Sequence, residues 1–299
     1  MRRINLKFEV YMKKITSAVC LILLVSSSAL AATPKVIYGQ DDRKEVSEYP
    51  NRNIQKLANS VAGRVSDYSL YTSRISGFSD YSRTTLDEAI NACPGERFAD
   101  QPVLMSCTGF LVGDDLLVTA GHCMRSYSDC ASNQWVFGFT AGKSLISNND
   151  IYQCAGIVAK EEVSIPLLGT TDYAIIKLDR KVRGRTPLKF RTKGRVKNGT
   201  EVLVIGHPMG LPLKIADNAT VSGSFGKTFK TDLDTYGGNS GSPVLDANTG
   251  LVEGILVQGS QDLSYGSCTS SRMDDGANEI VYKITRLKAL QKLADDGKL

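Results

Sequence analysis

Asp234-Thr235-Tyr236-Gly237-Gly238-Asn239-Ser240-Gly241-Ser242-Pro243-Val244 sets one serine among glycines, with an apolar run directly after it. Glycines let the backbone turn sharply and bring its N–H groups to one side. A serine hydroxyl in such a turn can attack a carbonyl while nearby amides stabilise the oxyanion that forms. Turns rich in small residues are also ordinary connectors, so the stretch acquires meaning only with the rest of the chain.

Two upstream stretches supply what a serine nucleophile lacks. Leu117-Val118-Thr119-Ala120-Gly121-His122-Cys123 is an apolar run that ends in a small-residue turn bearing a histidine. The chain has only 2 histidines, so an imidazole base has few sources. The other, His207, lies in Gly206-His207-Pro208-Met209-Gly210 and reads as the apex of a loop. Thr171-Asp172-Tyr173-Ala174-Ile175-Ile176 puts an aspartate at the mouth of an apolar strand, where a buried carboxylate needs a donor such as an imidazole N–H.

Beyond Val103 the pattern is short apolar runs divided by Gly, Asn and Asp: 108–112, 116–120, 134–139, 153–159, 173–178, 201–206, 218–224, 243–246 and 251–258. Many short strands with turn punctuation imply an all-β barrel or sandwich architecture. The length of 103–299 suits two small barrels, about 103–185 and 195–280, joined by the basic stretch Lys181–Lys197. A cleft between them would lie among all three motifs. Ile284, Leu287, Leu290 and Leu293 predict an amphipathic C-terminal helix over 283–295. Upstream, Ile54, Leu57, Ala58 and Val61 fall at helical spacing, which predicts a short helix within 51–65. Residues 66–92, rich in Ser, Tyr, Arg and Thr, read as loop or covering chain.

The first 31 residues read as a leader. Met12-Lys13-Lys14, the apolar run Ile15–Val25 and the small-x-small site Ala29-Leu30-Ala31 match a secretory signal peptide. The apolar run is too short for a membrane span. Most of the net charge of +5 sits there, in Arg2, Arg3, Lys7, Lys13 and Lys14 against Glu9. The remainder is near neutral with scattered charges, which argues against nucleic-acid binding. Of 7 cysteines, Cys20 falls in the leader. Cys93, Cys107, Cys123, Cys130, Cys154 and Cys268 remain, an even set in an exported chain and so a disulfide framework. None is spaced Cys-x-x-Cys, and no metal site is expected. Cys107 and Cys123 bracket a hairpin that turns at Gly113-Asp114-Asp115, so they should lie side by side. For the other four, Cys130–Cys154 with Cys93–Cys268 is the pairing we favour.

The order His122, Asp172, Ser240 is that of the chymotrypsin-type triad. With Thr119-Ala120-Gly121-His122-Cys123, Asp172-Tyr173-Ala174-Ile175 and Gly237-Gly238-Asn239-Ser240-Gly241-Ser242-Pro243, the chain resembles the chymotrypsin-fold serine proteases. It stands nearest the bacterial glutamyl-endopeptidase branch, which Val36-Ile37-Tyr38-Gly39-Gln40-Asp41-Asp42-Arg43 also resembles. The resemblance implies two six-stranded antiparallel β-barrels, a C-terminal helix and an N-terminal extension over 32–102. It implies a secreted, monomeric serine endopeptidase acting on proteins or peptides without a cofactor. Ser240 would be the nucleophile, His122 the base, Asp172 its orienter, and the Gly238 and Ser240 amides the oxyanion hole. It also implies a bridge beside the histidine, and a zymogen cut after Lys35 that frees the amine of Val36. Asn239 stands where many trypsin-like enzymes have the aspartate that receives such an amine, so that activation switch is not expected. The substrate side chain would meet Asp234, Thr235 and the strand Leu256-Val257-Gln258-Gly259. Leu256 occupies the place of a histidine that glutamyl endopeptidases use there, and Asp234 the place of the trypsin carboxylate. Two other readings stay open: a catalytically silent peptide-binding module on the same fold, and an esterase.

Overall fold

Two rings of antiparallel strands account for most of the regular structure in the computed structural model, which describes residues 37–73, 75–165, 169–274 and 279–299. All of these belong to one unit, Pro34–Leu299. The leader, the stub through Lys35 and the amine of Val36 lie outside the described residues. The first ring runs Ile151–Ile165, Gly169–Leu178, Leu116–Thr119, Cys107–Leu111, Val61–Ser66 and Asn133–Phe137, closing on Ile151–Ile165. The second runs Glu201–Gly206, Pro243–Asp246, Val252–Gln258, Glu279–Lys283, Thr228–Thr231 and Lys214–Phe225, and closes on Glu201–Gly206. Closure leaves no free edge within either ring, and alternate residues fill the interiors. Arg43–Glu45 adds a short strand beside Lys214–Ala216.

Val61–Ser66 is the main departure from expectation. The expected helix exists, but only as Arg52–Ala58, with the Asn51 side chain accepting from the Asn53 and Ile54 amides at its start. The chain then enters the first barrel between Cys107–Leu111 and Asn133–Phe137. The first barrel therefore begins some forty residues before the expected boundary at 103. Val61 continues the helical period by coincidence, and Val61, Ala62 and Val65 are buried in the barrel instead. Residues 66–92 are also more ordered than loop. Leu70–Thr72 and Phe78–Tyr81 pair with each other, the latter also with Ile146–Ser147. Leu86–Ile90 is a helix with a capping box between Thr85 and Glu88.

The cores are built mostly from the residues the pattern picked out. Phe110, Leu117, Val118, Trp135, Ile175 and Ile176 are buried on the two faces of the first barrel's strands, and Val202, Val204, Val221, Phe229, Val244 and Val281 form the second barrel's core, Phe229 and Val281 from strands outside the named runs. Each such side chain contributes roughly 1.5–3 kcal/mol by leaving water. The C-terminal helix Lys288–Asp295 packs through Leu290, with Ile284 and Leu287 buried just before it. All three bridges form as expected: Cys107–Cys123, Cys130–Cys154 and Cys93–Cys268. Among the described residues no helix is long and apolar enough to cross a membrane.

Candidate active site

His122 lies in a single 3-10 turn, Gly121–Met124, directly after the strand Leu116–Thr119. The neighbouring strand, Gly169–Leu178, pairs with it and carries Asp172. Asp172 is thus within a strand rather than at its mouth. Its carboxylate holds the histidine at two points. Oδ1 accepts the His122 backbone N–H at 3.0 Å, and Oδ2 lies 2.6 Å from Nδ1. The aspartate side chain is 8% exposed and the imidazole 25% exposed, so one edge of the ring stays open to the cleft. The backbone bond fixes where the ring starts and the Nδ1 bond fixes its rotation, which leaves Nε2 as the free nitrogen. The sulfurs of Cys107 and Cys123 lie within 4.8 Å of an imidazole nitrogen, but they are joined to each other and offer no thiolate to a metal.

Ser240 comes from the second barrel, in the turn before Pro243–Asp246. The first barrel grips its backbone: the Thr108 amide donates to the Ser240 carbonyl at 2.8 Å. Gly241 is pressed on the same strands, and a Cβ there would stand 2.1 Å from the Thr108 carbonyl and 2.9 Å from the Ala120 amide. Ser240 therefore sits beside the turn that carries His122. Among the described residues no hydrogen bond joins the Ser240 hydroxyl to the imidazole. Such catalytic bonds often tighten only when substrate binds.

Most backbone groups of Gly237, Gly238 and Asn239 are pinned. The Gly237 carbonyl accepts from the Met209 amide at 2.6 Å, and the Gly238 carbonyl from the Thr108 hydroxyl at 2.7 Å. The Asn239 amide donates to the Tyr236 carbonyl at 2.9 Å, closing a turn with Gly238 at φ 95°. A side chain at Gly238 would stand 2.3 Å from the His207 carbonyl, so the position requires glycine for both space and conformation. Among the described residues the Gly238 and Ser240 amides donate to no protein acceptor. The sequence reading names these same two amides as oxyanion donors.

His207 is not a second base. It is buried, its Nδ1–H donates to the Leu211 carbonyl at 2.9 Å, and burial pushes its pKa down to about 4. Facing that oxygen as an acceptor, a neutral ring carries its proton on Nδ1.

The expected pocket residues are arranged differently from one another. Asp234 is buried and already occupied: its two oxygens accept the Tyr38 amide at 2.9 Å and the Asp42 amide at 2.7 Å. Burial raises its pKa to about 6. The Thr235 hydroxyl donates to Glu279, a fully buried residue of the strand Glu279–Lys283 that sequence reading missed. Glu279 also takes the Tyr38 hydroxyl and the Ser260 amide, each at 3.3 Å, and burial pushes it up to about 8. It abuts Gly259, where a Cβ would lie 2.6 Å from its carboxylate. Leu256 and Val257 are buried in the strand Val252–Gln258, whereas Gln258 and Gly259 are exposed at its end. Asp262 was missed as well, and it accepts the Gly237 amide at 2.5 Å. The one sequence signal for Glu279 was an acid opening the apolar run Glu279-Ile280-Val281-Tyr282. Asp262 stood in a polar loop and gave none.

Two closed six-stranded barrels, with the histidine and aspartate on one and the serine turn on the other, define the chymotrypsin fold of the serine proteases. Comparison with known proteins agrees: residues 107–255 match the trypsin-like peptidase domain. It is 33% identical over 159 residues to secreted RxLR effector protein 73 of Plasmopara viticola, a match covering 49% of this chain and 39% of that protein. It is 30% identical over 156 residues to a glutamyl endopeptidase of Bacillus licheniformis, covering 48% of this chain and 46% of the relative. The matches thus span less than half the length of either relative. Among solved structures, the VesB protease of Vibrio cholerae superposes with a TM-score of 0.51 at 13% identity, over 86% of this chain and 66% of that one.

Proposed function

We propose that this protein is a secreted serine endopeptidase in which Ser240 attacks the peptide carbonyl and forms an acyl-enzyme. His122 Nε2 takes the hydroxyl proton and returns it to the leaving amine; Asp172 holds the tautomer and stabilises the imidazolium. The Gly238 and Ser240 amides receive the oxyanion, each donor being worth about 10²–10³ in rate. The observation that carries the reading is the two-point grip of Asp172 on His122, which orients Nε2 outward. A peptide-binding module would have no use for an oriented, partly exposed imidazole beside two amides without a protein acceptor. The three disulfides and the sequence relatives support export.

The pocket half favours substrates that are not acidic. Asp234, Asp262 and Glu279 surround Thr235–Gly237, and among the described residues no lysine, arginine or histidine pairs with any of them. An acidic side chain entering there would find no cation to pair with, beside carboxyl groups that burial already pushes toward their neutral form. The test is labelling of processed, oxidised protein with a serine-directed phosphonylating reagent. One adduct on Ser240, lost in Ser240→Ala and in His122→Ala, supports the reading. An unlabelled Ser240 in folded protein favours the silent module, and turnover of esters without amides favours the esterase.

A further inference from the structure

Gly237, Gly238 and Asn239 form a segment that a chain with two adjacent glycines does not hold rigid on its own. The Gly237 carbonyl and the Gly238 carbonyl are fixed from the barrel side, by Met209 and Thr108. On the outer side one contact does the same for the Gly237 amide: the Asp262 carboxylate, at 2.5 Å. The residue before it is held from the same place, since the Tyr236 hydroxyl donates to Ser271 Oγ at 2.6 Å.

Asp262 and Ser271 flank one small hairpin, Leu263–Tyr265 with Thr269–Ser271, and the Arg272 amide closes its base on the Asp262 carbonyl at 3.2 Å. That hairpin makes no pairing with the barrel sheets. It leans on the N-terminal extension. The Cys93 amide donates to the Thr269 carbonyl and the Thr269 amide to the Asn91 carbonyl, both at 2.8 Å. The Ser271 amide donates to Glu96 at 2.9 Å, and Cys93 is bonded to Cys268. The bridge closes a separation of 175 residues, far longer than the 16 spanned by Cys107–Cys123.

We propose that Asp262 is a positioning residue for the oxyanion turn, kept in place by residues 86–98 through the hairpin that Cys93–Cys268 tethers. This rests on the serine-protease reading above. It also gives the extension a function: a brace whose far end is the amide next to the oxyanion hole. Loss of the Asp262 acceptor leaves the Tyr236–Gly237 peptide held only at its carbonyl end, by the Asn239 amide, and lets it tilt. The Gly238 N–H then spends less time aimed at the oxyanion, a transition-state loss that leaves substrate binding alone.

The test uses the processed, oxidised enzyme and one peptide substrate, with kcat and KM measured separately for Asp262→Ala, Asp262→Asn and the double variant Cys93→Ser/Cys268→Ser. Asn keeps an acceptor oxygen and removes the charge. We expect Asp262→Ala to lower kcat about 10–100-fold, part of what a full oxyanion donor supplies, with KM within about three-fold. Asp262→Asn should recover most of that loss, and the cysteine variant should again lower kcat and spare KM. Wild-type kcat in Asp262→Ala, a loss confined to KM, or an Asn variant as impaired as Ala would each overturn the proposal. If the wild-type enzyme neither turns over substrate nor accepts a label at Ser240, the serine-protease reading falls and takes this one with it. An active wild type with an indifferent Asp262→Ala removes only the brace.

Discussion

Asp172 and Asp234 are two buried aspartates that each accept two N–H groups, and they do opposite work. Asp172 spends one oxygen on a backbone amide and the other on an imidazole that can become a cation. Asp234 spends both on backbone amides, of Tyr38 and Asp42, and meets no cation among the described residues. The first carboxylate faces a group whose charge changes in the proposed reaction. The second fastens the N-terminal segment under the second barrel, where Arg43 completes the attachment by pairing with Asp41 at 2.6 Å and lying over the Tyr236 ring at 4.4 Å. A carboxylate's role follows from what its donors can become, and position relative to the serine does not assign it.

The sharpest way to break the contrast is to remove each carboxylate in turn. Asp172→Asn should lower kcat by about 10³–10⁴-fold, because the amide offers the imidazole a donor where an acceptor was needed and the tautomer is lost. Melting temperature should change little by comparison. A variant that keeps more than a tenth of wild-type kcat would mean that His122 is not the base. Asp234→Ala should do the reverse. It leaves two buried amides without an acceptor, at about 1–3 kcal/mol each, which for a chain of this size is a fall in Tm of roughly 5–10 °C. Turnover at temperatures below the transition should stay within about ten-fold. If Asp234→Ala melts normally but loses cleavage after basic residues, Asp234 is a substrate ligand and the contrast collapses.

A smaller effect concerns the substrate. Peptides matched except for Glu, Gln or Lys before the scissile bond should show kcat/KM for Glu at least about 10-fold below Gln, given the cost of burying a carboxylate without a counter-ion. The gap should widen above pH 8, where Glu279 loses its proton, and Glu279→Gln should remove that widening. A preference for Glu would mean that a cation outside the described residues enters the pocket.

The same contrast explains what could be read from the sequence. The catalytic half was legible because its residues are rare types in fixed order: one of only 2 histidines after an apolar strand, an aspartate in another, a serine among glycines. The paired barrels were legible because most of their strands are short apolar runs set off by Gly, Asn and Asp. The strand Val61–Ser66 was not, since the helical period of Ile54, Leu57 and Ala58 runs on by chance through Val61. Thr228–Thr231 and Glu279–Lys283, each needed to close the second barrel, are too short and too polar at their ends to stand out. The pocket half was opaque for a different reason. Asp234, Asp262 and Glu279 are common residue types whose roles depend on partners at separations such as 196, 25 and 44 residues, and nothing local encodes those.

Glu279 offers the finest test, because its titration should appear in stability. Burial raises its pKa to about 8, so the folded protein holds a proton that the unfolded chain has released. When the folded state binds the extra proton, stability is full below the unfolded pKa, about 4.3, and declines as pH rises toward 8. Asp234, raised to about 6, adds a decline of the same sign that ends sooner. His207, pushed down to about 4, acts oppositely and lowers stability as pH falls below about 6.5, the ordinary histidine value. Lys214, pushed down to about 8, lowers it as pH falls from about 10.4, the ordinary lysine value. The raw profile therefore mixes these four groups with others such as Asp41 and Asp262, and the difference between wild type and Glu279→Gln isolates one. A glutamine keeps an oxygen for the Thr235 hydroxyl and carries no charge at any pH. We expect the variant to gain on the wild type by at least about 3 °C in Tm between pH 5 and pH 8, with most of that gain above pH 6. A difference that stays flat with pH would show that Glu279 is ionised in the fold throughout, and so that a cation neutralises it.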